Sequence, residues 1–367
     1  MLYREYGQTG KKVSLLGFGG MRFAHIDDHE KCVRMMVAAA EGGVNYFDTA
    51  PGYFETKSET VFGKGFAELR RRKLPYYSAS KTFASTEDAI RREIEAQLKR
   101  MDIPAIDFYH IWSIVNLDDW RERKKNGILQ SFQKLKDEGL IRHICVSSHL
   151  VYGEIRELLM EGVFEGVLFG YSAYNFQIRQ AAFDAIREKR LGAVVMNPLG
   201  GGVIPQNPGL FDFLRRPGES TVTAALRFLW DHPEISVTLV GFDTGEHVQE
   251  ALAAMESYKP RTEAELAAAK AVAPASLEGI CTGCSYCETN PGCPQGIPIL
   301  KFMDAYNQKI LNKSGKKDLV GDRLKWHWKL DRPIAGNCTG CGQCEKACTQ
   351  HISIIERLKE IAAGTKA

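Results

Sequence analysis

Residues 43–54 read GVNYFDTAPGYF, an apolar run rich in aromatic residues that stops at an aspartate, a proline and a glycine. A run of this length and composition is typical of a strand buried on both faces. Seven similar runs occur between residues 13 and 242, and they read VSLLGFGG, YYSASKTF, IDFYHIWS, HICVSSH, GVLFGYSAYNF, LGAVVMNPLGG and ISVTLVGF. The fold class therefore depends on what separates these eight runs.

Helical patterns separate them. Residues 87–101, EDAIRREIEAQLKRM, carry an apolar stripe at helical spacing, while residues 31–43 end on two glycines and residues 221–233 end on a proline. Eight strand–helix units in one span predict a closed parallel (β/α)8 barrel, with a hairpin before Val13 at its base. An open doubly wound sheet is the alternative, but GFGGM at 17–21 lacks the third glycine of a dinucleotide-binding fingerprint.

The chain has 367 residues, more than the roughly 250 that such a barrel commonly takes. Beyond residue 258 the strand–helix rhythm stops, and the polar, alanine-rich stretch YKPRTEAELAAAKAVAPAS leads into the first of two cysteine runs. We therefore predict two domains, a barrel at residues 1–275 and a small domain at residues 276–367.

Charge and hydropathy exclude several classes of function. The formal net charge of +3 is too small to indicate a nucleic-acid partner, and no run of about 18 apolar residues could span a membrane. The first ten residues, MLYREYGQTG, lack the apolar core of a signal peptide, so we expect a cytoplasmic protein. Thiols stay reduced in that compartment, and clustered cysteines there indicate metal or redox chemistry rather than disulfides.

Eight of the ten cysteines lie in two short runs, CTGCSYCETNPGCP at 281–294 and CTGCGQCEKAC at 338–348. Each run has three cysteines spaced by two residues, and a fourth follows. Three thiolates at this spacing can surround one corner of a [4Fe–4S] cubane. Two structural zinc sites are the alternative, but zinc ribbons use paired cysteines and need no third one at the same spacing. The isolated Cys32 and Cys145 are predicted to be core residues.

Residues 278–355 resemble the two-cluster ferredoxin domain of bacteria, through these two motifs and through Pro294 after the last cysteine of the first motif. In such ferredoxins the fourth thiolate of each cluster comes from the other motif. The resemblance therefore implies two [4Fe–4S] clusters, one bound by Cys281, Cys284, Cys287 and Cys348 and one bound by Cys338, Cys341, Cys344 and Cys293. The chain departs from the pattern in the five residues before Cys293, in Thr349 at the place of a second proline, and in an insertion at about 295–337.

Polar residues stand where the second, third and fourth strand-like runs end. Asp48 and Tyr53 lie in NYFDTAPGYF after the second strand, Lys81 ends SASK after the third, and His110 lies in DFYHIW at the fourth. Barrel active sites lie at the carboxyl ends of the strands, so we expect these side chains to meet. They suit carbonyl reduction, in which the oxygen needs a proton and stabilisation while a hydride attacks the carbon. An ammonium is expected to lower the pKa of the tyrosine, a carboxylate to position the ammonium, and the histidine to orient the oxygen.

The segments GVNYFDTAPGYFETKSETVFGKGF, YSASKT, IDFYHIW and MNPLGGG resemble the aldo/keto reductase family, and the resemblance covers residues 2–257. It implies that Asp48, Tyr53, Lys81 and His110 are the catalytic tetrad. It also implies a (β/α)8 barrel that binds a nicotinamide cofactor across its open face. The expected substrate is a small carbonyl compound, or the matching alcohol in the reverse direction.

The same resemblance assigns a set of residues to the nicotinamide cofactor: Ser147, Ser148, Tyr171, Met196, Asn197, Pro198, Leu199, Gly241, Asp243, Gly245 and His247. Three positions near the nicotinamide differ from the family pattern. Ser147 and Ser148 stand where members have a Ser-Asn pair, Tyr171 where a glutamine often follows, and Met196 where a tyrosine usually stacks under the ring.

The sequence also lacks the basic residues that usually bind the 2′-phosphate of the cofactor. Asp243, Glu246 and His247 replace the basic residues that members specific for the phosphorylated cofactor carry after strand eight. Asp243 would repel a 2′-phosphate but could accept a hydrogen bond from a ribose 2′-hydroxyl. The following helix can receive a pyrophosphate at its N-terminus, beside Gly245. We expect NAD(P)H, either as unphosphorylated NAD(H) or in a remodelled site.

Three hypotheses explain why one chain carries both the barrel and the cysteine motifs. The first is an iron–sulfur oxidoreductase in which Tyr53 donates or accepts the proton and the clusters exchange electrons with a redox partner protein. In the second, the clusters are structural or sensing and the barrel alone performs nicotinamide-dependent reduction. In the third, an electron-transfer protein uses the barrel as a non-catalytic scaffold, against which the intact tetrad argues. A cluster-fed or flavin-linked reductase without nicotinamide is a further alternative, motivated by Met196 and Tyr171.

Overall fold

The amino-terminal part of the chain is a closed barrel of eight parallel strands. The structure, a computed structural model, describes residues 1–114, 117–276, 280–281, 286–289, 292–311, 318–348 and 352–364. Its strands are β1 (Tyr3–Glu5), β2 (Lys12–Ser14), β3 (Leu16–Gly19), β4 (Tyr46–Asp48), β5 (Tyr77–Thr82), β6 (Ile106–Ile114), β7 (Ile141–Ser148), β8 (Gly166–Gly170), β9 (Gly192–Met196) and β10 (Val237–Gly241). β1 and β2 form an antiparallel hairpin, and β3 to β10 close with β10 beside β3. The predicted barrel is confirmed.

Helices connect the barrel strands. They are α1 (His29–Glu41), α2 (Lys57–Arg71), α3 (Glu87–Met101), α4 (Leu117–Lys125), α5 (Ile128–Asp137), α6 (Tyr152–Met160), α7 (Gln180–Lys189), α8 (Val203–Gln206), α9 (Thr221–Trp230) and α10 (Gly245–Glu256). Local signals fix their ends, as in α1, where the Asp28 side chain accepts the N–H of Lys31 and the N–H of Gly42 bonds to Ala38. No helix among the described residues is long and apolar enough to cross a membrane.

The hairpin plugs the barrel with one aromatic ring. Tyr6, between β1 and β2, is fully buried, and its ring centroid lies 4.1 Å from that of Phe108. A Cβ atom built on Gly166 or on Gly192 would lie 2.2 or 2.1 Å from the Tyr6 side chain. The tyrosine therefore fits only because β8 and β9 begin with glycine.

The barrel interior changes from apolar to polar toward the carboxyl ends of the strands. Alternate residues of a strand face inward, and one buried layer contains Tyr46, Ala79, Phe108, Cys145, Leu168, Val194 and Val237. Two residues further along, on β4 to β7, the inward positions are Asp48, Lys81, His110 and Ser147. The alternation of the strands thus brings the predicted polar residues to one end of the barrel.

A second compact unit contains residues 173–178, 199–224 and 262–367, as far as these are described, while residues 1–172, 179–198 and 225–261 form the first. Its further helices are α11 (Glu263–Ser276), α12 (Tyr286–Thr289), α13 (Ile299–Leu311), α14 (Leu319–Asp322), α15 (Gln343–Lys346) and α16 (Ile354–Ala363). Its apolar core includes Ile299, Phe302, Met303, Leu324 and Leu358, together with Cys287 and Cys344. The domain limits 1–275 and 276–367 stay a prediction.

Candidate functional site

A buried ion pair joins β4 and β5 at the carboxyl end of the barrel. The Lys81 ammonium donates to Asp48 Oδ1 at 2.6 Å and to the carbonyl oxygen of Thr49 at 2.9 Å. Both side chains are buried, with 0% of Lys81 and 1% of Asp48 exposed. Burial works against the charge of Lys81, but Asp48 and Tyr53 raise its pKa above the ordinary value. The lysine therefore stays an ammonium at neutral pH, held by its carboxylate.

Tyr53 lies beside this ion pair, on the turn between β4 and α2. The Lys81 nitrogen is 5.1 Å from the centroid of the Tyr53 ring, and Trp112 packs edge-on against the ring with centroids 5.9 Å apart. Burial raises the pKa of Tyr53, and the Lys81 charge offsets only part of the increase. The ammonium acts on this pKa in the expected direction, but desolvation of the ring raises the pKa by more. The phenol holds its proton at neutral pH, as a proton donor must.

His110 occupies the position on β6 that is paired with Lys81 on β5. Its Nδ1 lies 3.2 Å from the carbonyl oxygen of Ser80, which can only accept, so the proton of a neutral ring belongs on Nδ1. Burial, followed by the charge of Lys81, lowers its pKa to about 3. Its buried Nε2 has no hydrogen-bond partner in the described structure. The ring is therefore neutral and offers a lone pair.

Three cysteines of the second motif share a cavity with one cysteine of the first. Cys293, Cys338, Cys341 and Cys344 line it together with apolar residues such as Ile297 and Leu358. Gly340 and Gly342 have φ angles of +71° and +74°, which let the chain wrap tightly between the cysteines. Among the described residues, no three His, Cys, Asp or Glu side chains converge closely enough for a single metal ion. Four thiols around one cavity suit a larger iron–sulfur group.

The other four predicted ligands include Cys284, which lies outside the described residues. Cys281 is fixed by the Asn307 side chain, which accepts its N–H at 2.9 Å and donates to its carbonyl oxygen at 2.9 Å. The Sγ of Cys348 accepts the N–H of Ile352 at 3.5 Å. Arg357 interacts electrostatically with the thiols of both Cys281 and Cys348, which come from different motifs. This environment fits the crossed ligand set as well.

Comparison with known proteins decides the family. A family model described as "Aldo/keto reductase family" matches residues 15–273. The chain belongs to the aldo/keto reductase family. A second model, a 4Fe-4S dicluster domain, matches residues 280–354, so this aldo/keto reductase is an oxidoreductase with an iron–sulfur domain.

Similar proteins cover most of this aldo/keto reductase. L-galactose dehydrogenase of Arabidopsis thaliana is 27% identical over 286 residues, which span 69% of this chain and 87% of that protein. The uncharacterized oxidoreductase YrpG of Bacillus subtilis is 26% identical over 305 residues, 70% of this chain and 91% of the relative. The holo form of aldo-keto reductase AKR11C1 from Bacillus halodurans has 23% identity and a TM-score of 0.65, over 74% of this chain and 96% of that one, and it shows the same fold.

The nicotinamide residues expected in an aldo/keto reductase fall into two groups. Ser147 faces the barrel interior beyond Cys145, and its buried hydroxyl has no hydrogen-bond partner in the described structure. Met196 ends β9 and packs against the interior layer. Beyond it, Asn197 is exposed and Pro198 is buried, while Leu199 is partly buried in the second unit.

Ser148 and Tyr171 face away from the interior. Ser148 is paired with Phe169, whose ring packs against Phe183 of α7. The hydroxyl of Ser148 accepts the N–H of Leu150. Tyr171 also packs edge-on against Phe183, with ring centroids 4.8 Å apart. The hydroxyl of Tyr171 lies 3.0 Å from Nε2 of His232 on the helix side of the sheet. The assignment of these two residues to the cofactor is therefore not supported by their placement.

The residues after β10 lie at an open helix start. Asp243 and His247 are exposed on either side of Gly245, the first residue of α10, where an added Cβ would meet nothing within 4 Å. Sequence reasoning missed Arg22, whose side chain lies against Gly241: a Cβ built there would be 2.5 Å from Arg22 Cγ. Its charge also acts on Tyr53. The signal was a basic residue directly after the first barrel strand.

Proposed function

We propose that the protein reduces a small carbonyl compound, or oxidises the matching alcohol, with Tyr53 as the group that gives or takes the proton. The observation that carries this proposal is the buried Lys81–Asp48 pair beside a protonated tyrosine. A barrel without catalysis has no physical need to bury two charges at its open end. We further propose two clusters that exchange electrons with a redox partner protein.

Each residue of the tetrad has a separate role in the proposed reaction. Asp48 holds Lys81 charged and in place through the 2.6 Å contact. The ammonium beside Tyr53 stabilises the phenolate that is left when the phenol gives its proton to the substrate oxygen. A nicotinamide cofactor, when bound, supplies the hydride that completes the new C–H bond and carries both electrons.

His110 acts on a hydroxyl group rather than on a bare carbonyl. Its Nδ1–H is used by Ser80, so its Nε2 can accept a hydrogen bond and cannot donate one. The hydroxyl of the alcohol is a suitable donor, so the histidine can hold the alcohol before the hydroxyl proton passes to the Tyr53 phenolate and the hydride leaves the alcohol carbon. In the reverse direction it receives the alcohol product.

The residues that support a nicotinamide cofactor are those that face the open end. Ser147 offers an unpaired buried hydroxyl to the carboxamide, and Met196 offers an apolar surface to the ring. Arg22 and the N-terminus of α10 can receive the pyrophosphate, since both favour negative charge. Asp243 favours an unphosphorylated ribose, so we propose NADH rather than NADPH as the donor.

The eight motif cysteines are the proposed ligands of the two clusters, which supply one-electron steps when bound. In carbonyl reduction the nicotinamide hydride supplies both electrons and the clusters need supply none. When the alcohol is oxidised, it releases two electrons and two protons, and two clusters could take one electron each and pass them to the redox partner protein. The second candidate is a reductase fed by the clusters without nicotinamide, which is favoured by Met196 at the position of the usual stacking tyrosine.

An anaerobic titration tests this proposal. The cluster-replete protein is titrated with NADH and separately with NADPH, while the visible absorbance of the clusters is recorded. Bleaching by NADH supports a coupled enzyme with nicotinamide in the barrel. If carbonyl turnover occurs without bleaching, the clusters take no part in the reaction. If neither bleaching nor turnover occurs, the nicotinamide proposal is overturned in favour of another electron donor.

A further inference from the structure

The two groups of motif cysteines have different charged neighbours. The guanidinium carbon of Arg357, on α16, lies 4.8 Å from the centroid of the Tyr306 ring. Tyr306 precedes Asn307 on α13, and Asn307 is the residue that holds both backbone groups of Cys281. The stacking on Tyr306 therefore holds the guanidinium against the helix that fixes Cys281, and its charge interacts with the Cys281 thiol.

The same arginine also reaches the ligand that the other motif contributes. Its charge interacts with the thiol of Cys348 as well as with that of Cys281. The Cys348 sulfur in addition accepts the N–H of Ile352, five residues before Arg357 in the chain. A cation and an N–H donor thus face one set of ligands, the one that contains Cys281, Cys287 and Cys348.

The first set also has a glutamate directly after one of its ligands, Glu288 after Cys287, whose carboxylate accepts the N–H of Leu300 at 2.9 Å. The second set has a matching glutamate. Glu345 follows Cys344 directly, and its negative charge acts on that thiol, while its carboxylate accepts the N–H of Ile355 at 2.8 Å. Cys341 of this set is exposed to solvent. Electrons from a partner can therefore reach this cluster at the surface.

Net charge and hydrogen bonds to the sulfurs set the reduction potential of an iron–sulfur cluster. Reduction adds negative charge, and a nearby cation stabilises that charge more when the site is partly shielded from water, as it is at the partly buried Arg357. The carboxylates of Glu288 and Glu345 act in the opposite direction, one beside each set of ligands, so the difference between the sets rests on Arg357.

We propose that Arg357 selectively raises the reduction potential of the cluster bound by Cys281, Cys287 and Cys348, so that electrons entering at the exposed Cys341 come to rest beside Arg357. This inference rests on the proposed function, since it needs both clusters and the crossed ligand set. Arg357 is a positioning residue for charge and touches neither substrate nor cofactor of the barrel.

Redox titration of the whole chain, followed by electron paramagnetic resonance, tests the inference. Arg357→Gln removes the charge and keeps a planar group over Tyr306. We expect the reduction equilibrium of one cluster to become at least tenfold less favourable, which is a shift of about 59 mV for one electron. The other cluster should not shift, and Arg357→Lys should restore most of the potential.

The matched control is Lys359→Gln, which removes one positive charge from an exposed position on the same helix. Equal shifts in Arg357→Gln and Lys359→Gln would show a general charge effect and overturn the inference. So would a shift of the cluster that contains Cys341. Fewer than two clusters by iron content would overturn the proposed function together with this inference, whereas two clusters with unshifted potentials in Arg357→Gln would overturn the inference alone.

Discussion

The ammonium nitrogen of Lys81 lies 2.6 Å from a carboxylate oxygen of Asp48, and neither side chain reaches solvent. The two residues come from the neighbouring strands β5 and β4. A charge left unpaired at this depth is costly, so each residue is needed to keep the other ionised. The pair therefore links the stability of the barrel to the state of its proposed proton donor.

We expect Lys81→Met to lower the free energy of unfolding of the barrel by about 3–5 kcal/mol, because it leaves the Asp48 carboxylate buried without a partner. The double variant Lys81→Met with Asp48→Leu should regain most of that stability, yet show no carbonyl turnover. Urea unfolding followed by circular dichroism measures the first effect, and steady-state kinetics the second. A double variant as unstable as the single one would contradict this account.

We expect Tyr53→Phe to lower kcat at least about 100-fold, since a positioned general acid contributes typically 10²–10⁴-fold. The cluster absorbance should stay unchanged. Tyr109→Phe is the matched control, because it removes a buried hydroxyl that donates to Gln97 on the helix side of the same barrel. If Tyr53→Phe turns over at the rate of the control, Tyr53 is not the proton donor.

The low pKa of His110 makes the free energy of unfolding depend on pH. Its pKa is about 3 in the folded chain and 6.5 as the ordinary value. Between these values the unfolded state binds one more proton, so the free energy of unfolding falls as the pH falls, by about 1.4 kcal/mol per pH unit. His110→Gln should flatten this slope between about pH 6 and 4, and the exposed His247→Gln should not. The free energy of unfolding is measured by urea unfolding at each pH. If it changes with pH equally in His110→Gln and in the unmodified protein, His110 is not a buried neutral histidine.

The sequence predicts those site residues whose inward or outward direction follows from the alternation of side chains along a strand. Asp48, Lys81 and His110 face the barrel interior in one layer, because the alternation of each apolar run defines its inward face. Ser148 and Tyr171 were assigned from their positions along the chain, which do not tell which side of the sheet a residue faces. The effect of Lys81 on the pKa of Tyr53 has the expected direction, but the larger effect of desolvation depends on packing that the sequence does not show.

The adjacent serines of β7 give a test of the nicotinamide site. Ser147 has a buried hydroxyl without a partner in the described structure, whereas the hydroxyl of Ser148 is used by Leu150. We expect Ser147→Ala to weaken NADH binding several-fold by loss of one hydrogen bond, and Ser148→Ala to leave it unchanged. Fluorescence titration with NADH measures both dissociation constants. The opposite ranking would place the carboxamide on the other side of β7.

We predict crossed ligation between the two cysteine motifs. Cys293 of the first motif lines the cavity of Cys338, Cys341 and Cys344, and Arg357 interacts with the thiols of Cys281 and Cys348. Each fourth cysteine should therefore serve the cluster of the other motif.

We expect Cys348→Ser to lower the bound iron from two clusters to one, and the remaining cluster to be that of Cys338, Cys341 and Cys344. Adding Cys341→Ser to this variant should then remove the second cluster, because it takes away a ligand of what remains. Adding Cys287→Ser should change nothing further, because its cluster is already lost. Iron content and paramagnetic resonance after reduction measure both double variants. If Cys287→Ser removes the remaining cluster and Cys341→Ser does not, each motif binds its own cluster and the two sites are not crossed.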